Sequence, residues 1–287
     1  MSIFFTDSNS EIWYERFDKL GIEYISMPYT IDDVEYYYDL GRNTNFKEFY
    51  EKVSKGSMPI TSALNPQNYI DIFTPFLEQG NDIIYVTFSH AMSGTFEHMK
   101  TAIAQLKEKF PERSIKYVDT RSISIGASII AYYAALEYKK GASDDEIIKF
   151  VEDLRDNISV YFVVDDLMHL KRGGRLSGFS ATIGTMLGIK PILKFNEEGK
   201  IITYGKIKGK KKALLKLVDL IKEKGQNVAD YPIAINHANC LDDALFLKSK
   251  IEETFGKDIE IWLQDVGPTI GTHCGPGTIG LAFHGKK

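Results

Sequence analysis

Cysteine, tryptophan and proline are all scarce in this chain, with two Cys, two Trp and nine Pro among 287 residues. Cys240 and Cys274 lie far apart without CxxC spacing, which removes a disulfide framework and a structural zinc site and leaves two free thiols as the expectation. An excess of positive charge is missing as well. Thirty-five Lys and Arg against 39 Asp and Glu leave a net charge of −4, so no global field exists to hold a polyanionic backbone and nucleic acid is not an expected partner. Long apolar runs are absent: the longest uncharged stretches, 122–136 and 176–189, carry Ser, Thr and Gly and fall short of the roughly 18–20 apolar residues a bilayer span requires. The first residues offer only Ile3, Phe4 and Phe5 before Asp7, without the basic start and apolar core of an export signal. A cytoplasmic protein is expected. The six histidines never fall at i, i+4, the spacing that puts two imidazoles on one helical face, so no metal is expected.

What remains is the composition of a folded protein, 44% hydrophobic and 26% charged. Its length accommodates one large domain or two ordinary ones at roughly 150 residues each. Over the first 160 residues short β-rich runs alternate with helical periodicity, the mark of an α/β domain with a mainly parallel sheet. Ile3–Phe5, Asp82–Thr87 and Ser114–Val118 read as strands. Phe96, Met99, Ile103, Leu106 and Phe110 recur at three- and four-residue steps, which predicts a helix over 95–110 stopped by Pro111. Beyond Val160 the pattern changes. A glycine-rich basic loop, 171–178, precedes an antiparallel pair, Pro191–Phe195 with Lys200–Gly205, turned through Asn-Glu-Glu-Gly. Helices near 210–224 and 241–255 then alternate with strands at Tyr231–Asn236 and Ile259–Leu263. The expected fold class is therefore α/β, with an N-terminal α/β domain over 1–160, a C-terminal α/β domain over 161–287 whose sheet is mixed or antiparallel, and a ligand between them.

Several motifs fail on inspection. Gly275 to Gly280 satisfies GxGxxG, but only seven residues follow it, too few for the helix whose N-terminus would face a pyrophosphate; a tight turn is the useful reading. Ser93 sits in Ala-Met-Ser-Gly-Thr and lacks the flanking glycine of a GxSxG elbow. Five lysines in seven positions, 206–212, stand as a solvated hinge or as a docking patch for an acidic partner. Lys206 and Lys208 belong to it, and Arg172 and Arg175 extend it.

Two hydroxyl-rich turns carry more. Pro59-Ile60-Thr61-Ser62 precedes a helix opened by Asn65-Pro66, and Ser89 to Thr95 precedes the helix over 95–110. Unpaired N–H groups at a helix start favour a carboxylate or phosphate, and a nearby hydroxyl adds a donor. Ordinary capping by Ser93 is the competing reading.

At these residues the chain resembles the DegV family of bacterial fatty-acid-binding proteins, acyl carriers that serve fatty acid kinase. The matching segments are Thr6-Asp7-Ser8, Thr61-Ser62, Ser93-Gly94-Thr95-Phe96, Leu170 to Ser177, Gly188 to Leu193 and His273 to Gly280. The resemblance implies two α/β domains enclosing an acyl chain. It implies a carboxylate held by hydroxyls at Thr61 and Ser93, with Ser62, Gly94 and His273 beside it. It also implies no cofactor other than the bound fatty acid, a separate kinase as partner with Arg172, Arg175, Lys206 and Lys208 in its docking region, and transient membrane contact for ligand exchange. No catalytic residue of the chain itself is implied. Three departures stand out: His90 where a Ser is common, Ala63-Leu64-Asn65-Pro66 where a Gln-Pro is common, and Asn9 where a Thr is usual.

The chemistry of the residues agrees. Thr61 and Ser93 are neutral donors that hold a carboxylate without the bidentate charge of an Arg, leaving it able to attack ATP. A kinase would supply phosphoryl group, magnesium and charge stabilisation, and the carrier would supply position. For the acyl chain, Ser180, Gly184 and Gly188 recur at four-residue steps beside Phe179, Ile183, Met186 and Leu187, and Ile125 and Ile129 offer an opposite wall; apolar positions at helical spacing are also ordinary core. An acyl or phosphate ester hydrolase or transferase, with Ser93 as nucleophile and His273 as base, is the alternative.

Overall fold

The computed structural model describes residues 2–176 and 188–287. It has two α/β domains. The first is built on β1 (Ile3–Asp7), α1 (Tyr14–Phe17), β2 (Glu23–Ile25), β3 (Pro28–Ile31), β4 (Val34–Tyr37), α2 (Phe46–Ser54), β5 (Ile60–Thr61), α3 (Pro66–Glu78), β6 (Ile83–Thr87), α4 (Thr95–Lys109), β7 (Ile115–Asp119), α5 (Ile125–Lys139) and α6 (Asp144–Arg155). The second holds β8 (Ile158–Val163), α7 (Met168–Arg172), β9 (Ile189–Phe195), β10 (Ile201–Lys208), α8 (Lys210–Lys224), β11 (Ile233–His237), α9 (Leu241–Phe255), β12 (Ile261–Asp265), α10 (Pro268–Cys274) and β13 (Ile279–His284).

In the first domain β2-β1-β6-β7 form a four-stranded sheet, parallel throughout. The second sheet is mixed, in the order β10-β9-β8-β13-β11-β12, antiparallel except for the β11–β12 pair. The expected strands, hairpin and helices all form close to their expected bounds. Three features differ from expectation. β3, β4 and β5 form a small antiparallel sheet of their own; these strands are too short to leave a period in the sequence. β8 crosses the expected junction at 160/161 and pairs in the mixed sheet, because Ile158–Val163 is buried on both faces and so shows no alternation. Ile279–His284, after the Gly275–Gly277 turn, forms a central strand between β8 and β11.

α5 explains how the sheets come together. Its residues from Ile125 to Ala131 are all buried, and a helix that is apolar all round must be enclosed on every side. It packs on β1 and β6 of the parallel sheet and on β8, β11 and β13 of the mixed one. The opposite face of the mixed sheet is covered by α8 and α9.

At the start of α5 a fully buried carboxyl, Glu11, binds across the two domains. Its Oε1 accepts the Gly267 N–H at 2.5 Å, and its Oε2 accepts the Ser124 hydroxyl and the Asn236 amide at 3.3 Å. Glu11 and Ser124 both hold positive φ, 52° and 57°, a region costly for non-glycine residues and sustained only by surrounding contacts. Burial pushes the Glu11 carboxyl up to about 7, against the hydrogen bonds that favour its ionised form.

A carboxyl raised in the folded state stabilises the fold at low pH, and that contribution is lost as pH rises through its folded value. Wild-type protein should therefore lose ground to Glu11→Gln as pH rises from about 4.5 to 7. Chemical denaturation across that window measures it; a stability difference independent of pH would show that Glu11 titrates normally.

Candidate functional site

Thr61 ends β5, the edge strand of the small sheet, and its Oγ1 lies 2.8 Å from Nε2 of His273 on α10. The imidazole can take this position because residue 173, at the end of α7, is glycine: a Cβ there would stand 2.2 Å from His273 Nδ1. Ser93 follows the β6 strand and a short 3-10 turn, His90–Met92, and is extended at φ −158°. Its Oγ accepts the Thr95 N–H at 3.2 Å, a local turn contact, while Gly94 rather than Ser93 holds the N-cap position of α4. Both hydroxyls line one chamber of about 380 Å³ together with Ser62, Asn9, Thr269, Arg175 and His273. Gly94 is exposed at the start of α4 and is not in that lining.

The chamber is rich in polar atoms that the protein does not pair. Asn9 Oδ1, Thr269 Oγ1 and His273 Nδ1 are buried, and none has a hydrogen-bond partner among the described residues. Unpaired buried polar groups are uncommon enough in native structures that each calls for a reason, such as a ligand, an ion or water. Charge points the same way. Arg175, grouped by sequence with the surface basic patch, turns inward and lines this chamber. Its Nε donates to the Met92 carbonyl at 3.1 Å and its Nη1 to the Gly173 carbonyl, and among the described residues no carboxylate forms an ion pair with it. Burial lowers its affinity for the proton, yet a guanidinium stays charged. Burial first, and the Arg175 charge second, push the His273 imidazole down to about 4, so it is neutral at pH 7.

The chamber adjoins an apolar cavity enclosing about 650 Å³ of space between atoms. Met92, Ile123, Arg175, Ile270 and His273 belong to both walls. Val160, Phe162, Leu170, Phe195 and Ile201 line the apolar part. Ile125 is in this wall, whereas Ile129 is buried in the main core and is not in the lining. Phe179, Ile183, Met186 and Leu187 lie outside the described residues. Arg172 is exposed at the end of α7 and stands 3.1 Å from His169 Nδ1. Lys206 and Lys208 are exposed on β10.

A nucleophile relay is not formed by these groups. The only side chain His273 Nε2 bonds is Thr61, and no carboxylate orients its Nδ1 among the described residues. No cluster of His, Cys, Asp and Glu among the described residues could hold a metal ion, and no helix there is long and apolar enough to cross a membrane.

Sequence reasoning found Thr61, Ser93 and His273 but missed Asn9 and Thr269 as chamber residues. A lone Asn or Thr carries no periodic signal, and only the fold reveals that its polar atom is unpaired.

A family model described as "Uncharacterised protein, DegV family" matches residues 3–286. A DegV domain-containing protein of Clostridium perfringens is 38% identical over 284 residues, 99% of this chain and 97% of that protein. Among solved structures, DegV of Bacillus subtilis, a fatty acid binding protein, is similar at 29% identity with a TM-score of 0.83, covering 99% of each chain. A Thermus thermophilus protein, solved for its fatty acid binding, is similar at 26% identity and a TM-score of 0.86 over 99% of each chain. A Ruminococcus gnavus protein refined with vaccenic acid has 26% identity and a TM-score of 0.85, covering 98% of this chain and 99% of its own.

The histidine environment is measurable directly. In a titration followed by nitrogen NMR, His273 should remain neutral through pH 5 with a midpoint near the value of about 4 set by burial and Arg175, and Arg175→Met should move the midpoint upward. A midpoint above 6 in the wild type would mean that the chamber is wet and the Arg175 charge distant.

Proposed function

This chain belongs to the DegV family, and on that footing we propose that it binds a long-chain fatty acid in the cytoplasm and presents the carboxylate to a separate fatty acid kinase for conversion to an acyl phosphate. The observation that carries the reading is the junction of two unlike spaces. A chamber whose polar atoms and guanidinium lack partners among the described residues adjoins an apolar cavity along shared walls, which suits a molecule with one anionic end and a long apolar tail. The fatty acid binding named for the Bacillus and Thermus proteins and the vaccenic acid of the Ruminococcus structure support it.

The head group is held by hydroxyls and charge together. On Nδ1 the proton of His273 would be a buried donor without a partner among the described residues, which is costly, so it belongs on Nε2, donated to Thr61 Oγ1 across 2.8 Å. That leaves the Thr61 hydroxyl hydrogen free to be donated to a carboxylate. Ser93, whose oxygen already accepts the Thr95 N–H, likewise has its own hydrogen to give. Arg175 adds the positive charge, with Nε and Nη1 occupied by carbonyl groups. For the tail, burying methylenes at about 0.8 kcal/mol each gives a sixteen-carbon chain on the order of 12 kcal/mol before ordering costs. The expectation from sequence of a purely uncharged head-group site is thus amended by Arg175. The ATP, magnesium and phosphoryl transfer belong to the kinase; this chain contributes position. Exposed Arg172, Lys206 and Lys208 are the proposed contact with that kinase, through which charge would set encounter rate and orientation.

Thr61→Val and Ser93→Ala should each weaken binding of a C16–C18 fatty acid by about ten- to a hundredfold, the worth of one hydrogen bond to a charged group at roughly 1.5–3 kcal/mol. Isothermal titration after delipidation measures it. Denaturing extraction and mass spectrometry that recovered no acyl chain, even from cells fed fatty acids, would overturn the proposal; so would unchanged affinity in both variants.

A further inference from the structure

The apolar cavity is not uniformly apolar. Ser124 and Asn236 stand in its wall, and they belong to the Glu11 network. Asn236 is only 4% exposed. Its Nδ2 donates to Ser124 Oγ at 2.7 Å and to Glu11 Oε2 at 3.3 Å, which fixes the orientation of the amide, because only the nitrogen can face those acceptors. The Oδ1 is then turned away from Glu11 and toward Gly280, where a Cβ would stand 2.3 Å from it. No donor reaches this oxygen among the described residues. Ser124 cannot serve it, since its one hydroxyl hydrogen goes to Glu11. Among the described residues, this stretch of wall therefore presents an acceptor without a donor to a space lined mainly by apolar side chains.

Resting on the fatty-acid reading above, we propose that this acceptor makes the protein a carrier for hydroxylated acyl chains: a hydroxyl at the matching carbon donates its hydrogen to Asn236 Oδ1. The chemistry is selective in a second sense. A keto group at the same carbon brings an acceptor to an acceptor, so it gains nothing. Gly280 is required for the arrangement, because any side chain there would displace the amide. Along the part of the tail that faces Val160, Phe162, Phe195 and Ile201, away from the head-group chamber, a buried hydroxyl meets only apolar side chains, and such burial costs on the order of ten- to a hundredfold in affinity.

The test uses the delipidated full chain and a series of octadecanoic acids bearing a hydroxyl or a keto group at successive carbons from 6 to 14, with plain octadecanoic acid as reference. One hydroxyl position, or two adjacent ones, should bind within threefold of the plain acid or tighter, while the other positions and the keto acid at the same carbon lose tenfold or more. Asn236→Ala should abolish the tolerance for that position, read as the ratio of hydroxy-acid to plain-acid affinity within the same variant; Gly280→Ala, which keeps the asparagine but displaces its amide oxygen, provides the same readout should the first variant fail to fold. A uniform penalty at every hydroxyl position, equal tolerance of hydroxyl and keto groups, or an unchanged profile in a folded variant overturns the inference while leaving fatty acid binding intact. Failure of the wild type to bind any of the acids, plain octadecanoic acid included, overturns both.

Discussion

The enclosed carboxyl of Glu11 ties the site to the fold. A buried carboxyl without donors is expensive, and Glu11 draws its donors from three distant stretches of chain: Ser124 at the start of α5, Asn236 on β11 and Gly267 just before α10. Meeting that requirement fixes where α10 begins. Seven residues later α10 ends, and His273 near its end is thereby set against Thr61 on β5, on which α10 packs. The same requirement places Ser124 and Asn236 in the wall of the apolar cavity. One electrostatic constraint thus propagates in two directions, toward the head-group chamber and toward the tail.

Its partner is the enclosure of α5. Because that helix is apolar on every side, both sheets must close on it, and the cavity lies at its first turn, where Ile125 shares the wall with residues of the mixed sheet. The chamber next to it is built from element ends and turns, with Thr61 on the edge strand β5, Thr269 and His273 on the short helix α10 and Ser62, Ser93 and Arg175 on the connections. Strand faces of the mixed sheet supply much of the apolar wall and these ends and turns supply the polar one, which is how neighbouring spaces come to be so unlike.

Much of this is legible in the sequence, and the failures have identifiable causes. The parallel sheet, the β9–β10 hairpin and the helices over 95–110, 210–224 and 241–255 carry strong periods or turn residues. β8 and β13 do not, because a strand buried on both faces has no alternation to read. Thr61, Ser93 and His273 stand out by motif. Arg175 groups with the basic patch in sequence for a sound but insufficient reason: two arginines flanking Gly-Gly look alike there, and only the fold separates Arg172, which faces solvent, from Arg175, which lines the chamber. Ile125 and Ile129 show the same limit from the apolar side. On a helix that is buried all round, the period that would distinguish cavity wall from core is absent.

The guanidinium also bears on how a carrier differs from an enzyme built of similar parts. A positive charge and hydroxyl donors around a carboxylate hold it ionised, since each favours the charged form, and an ionised carboxylate is the nucleophile that phosphoryl transfer needs. A bidentate clamp would occupy both of its oxygens. Arg175 cannot form the side-on clamp that uses Nε, because its Nε is committed to the Met92 carbonyl and its Nη1 bonds Gly173; it supplies field more than grip. The neutral His273, low in basicity through burial and that same charge, is poorly suited to remove a proton from Ser93. In the proposed complex it acts instead on Thr61, turning the hydroxyl hydrogen outward. The features that would make the site a weak hydrolase are therefore those that keep a bound carboxylate anionic, positioned and open to attack on a phosphate brought from outside.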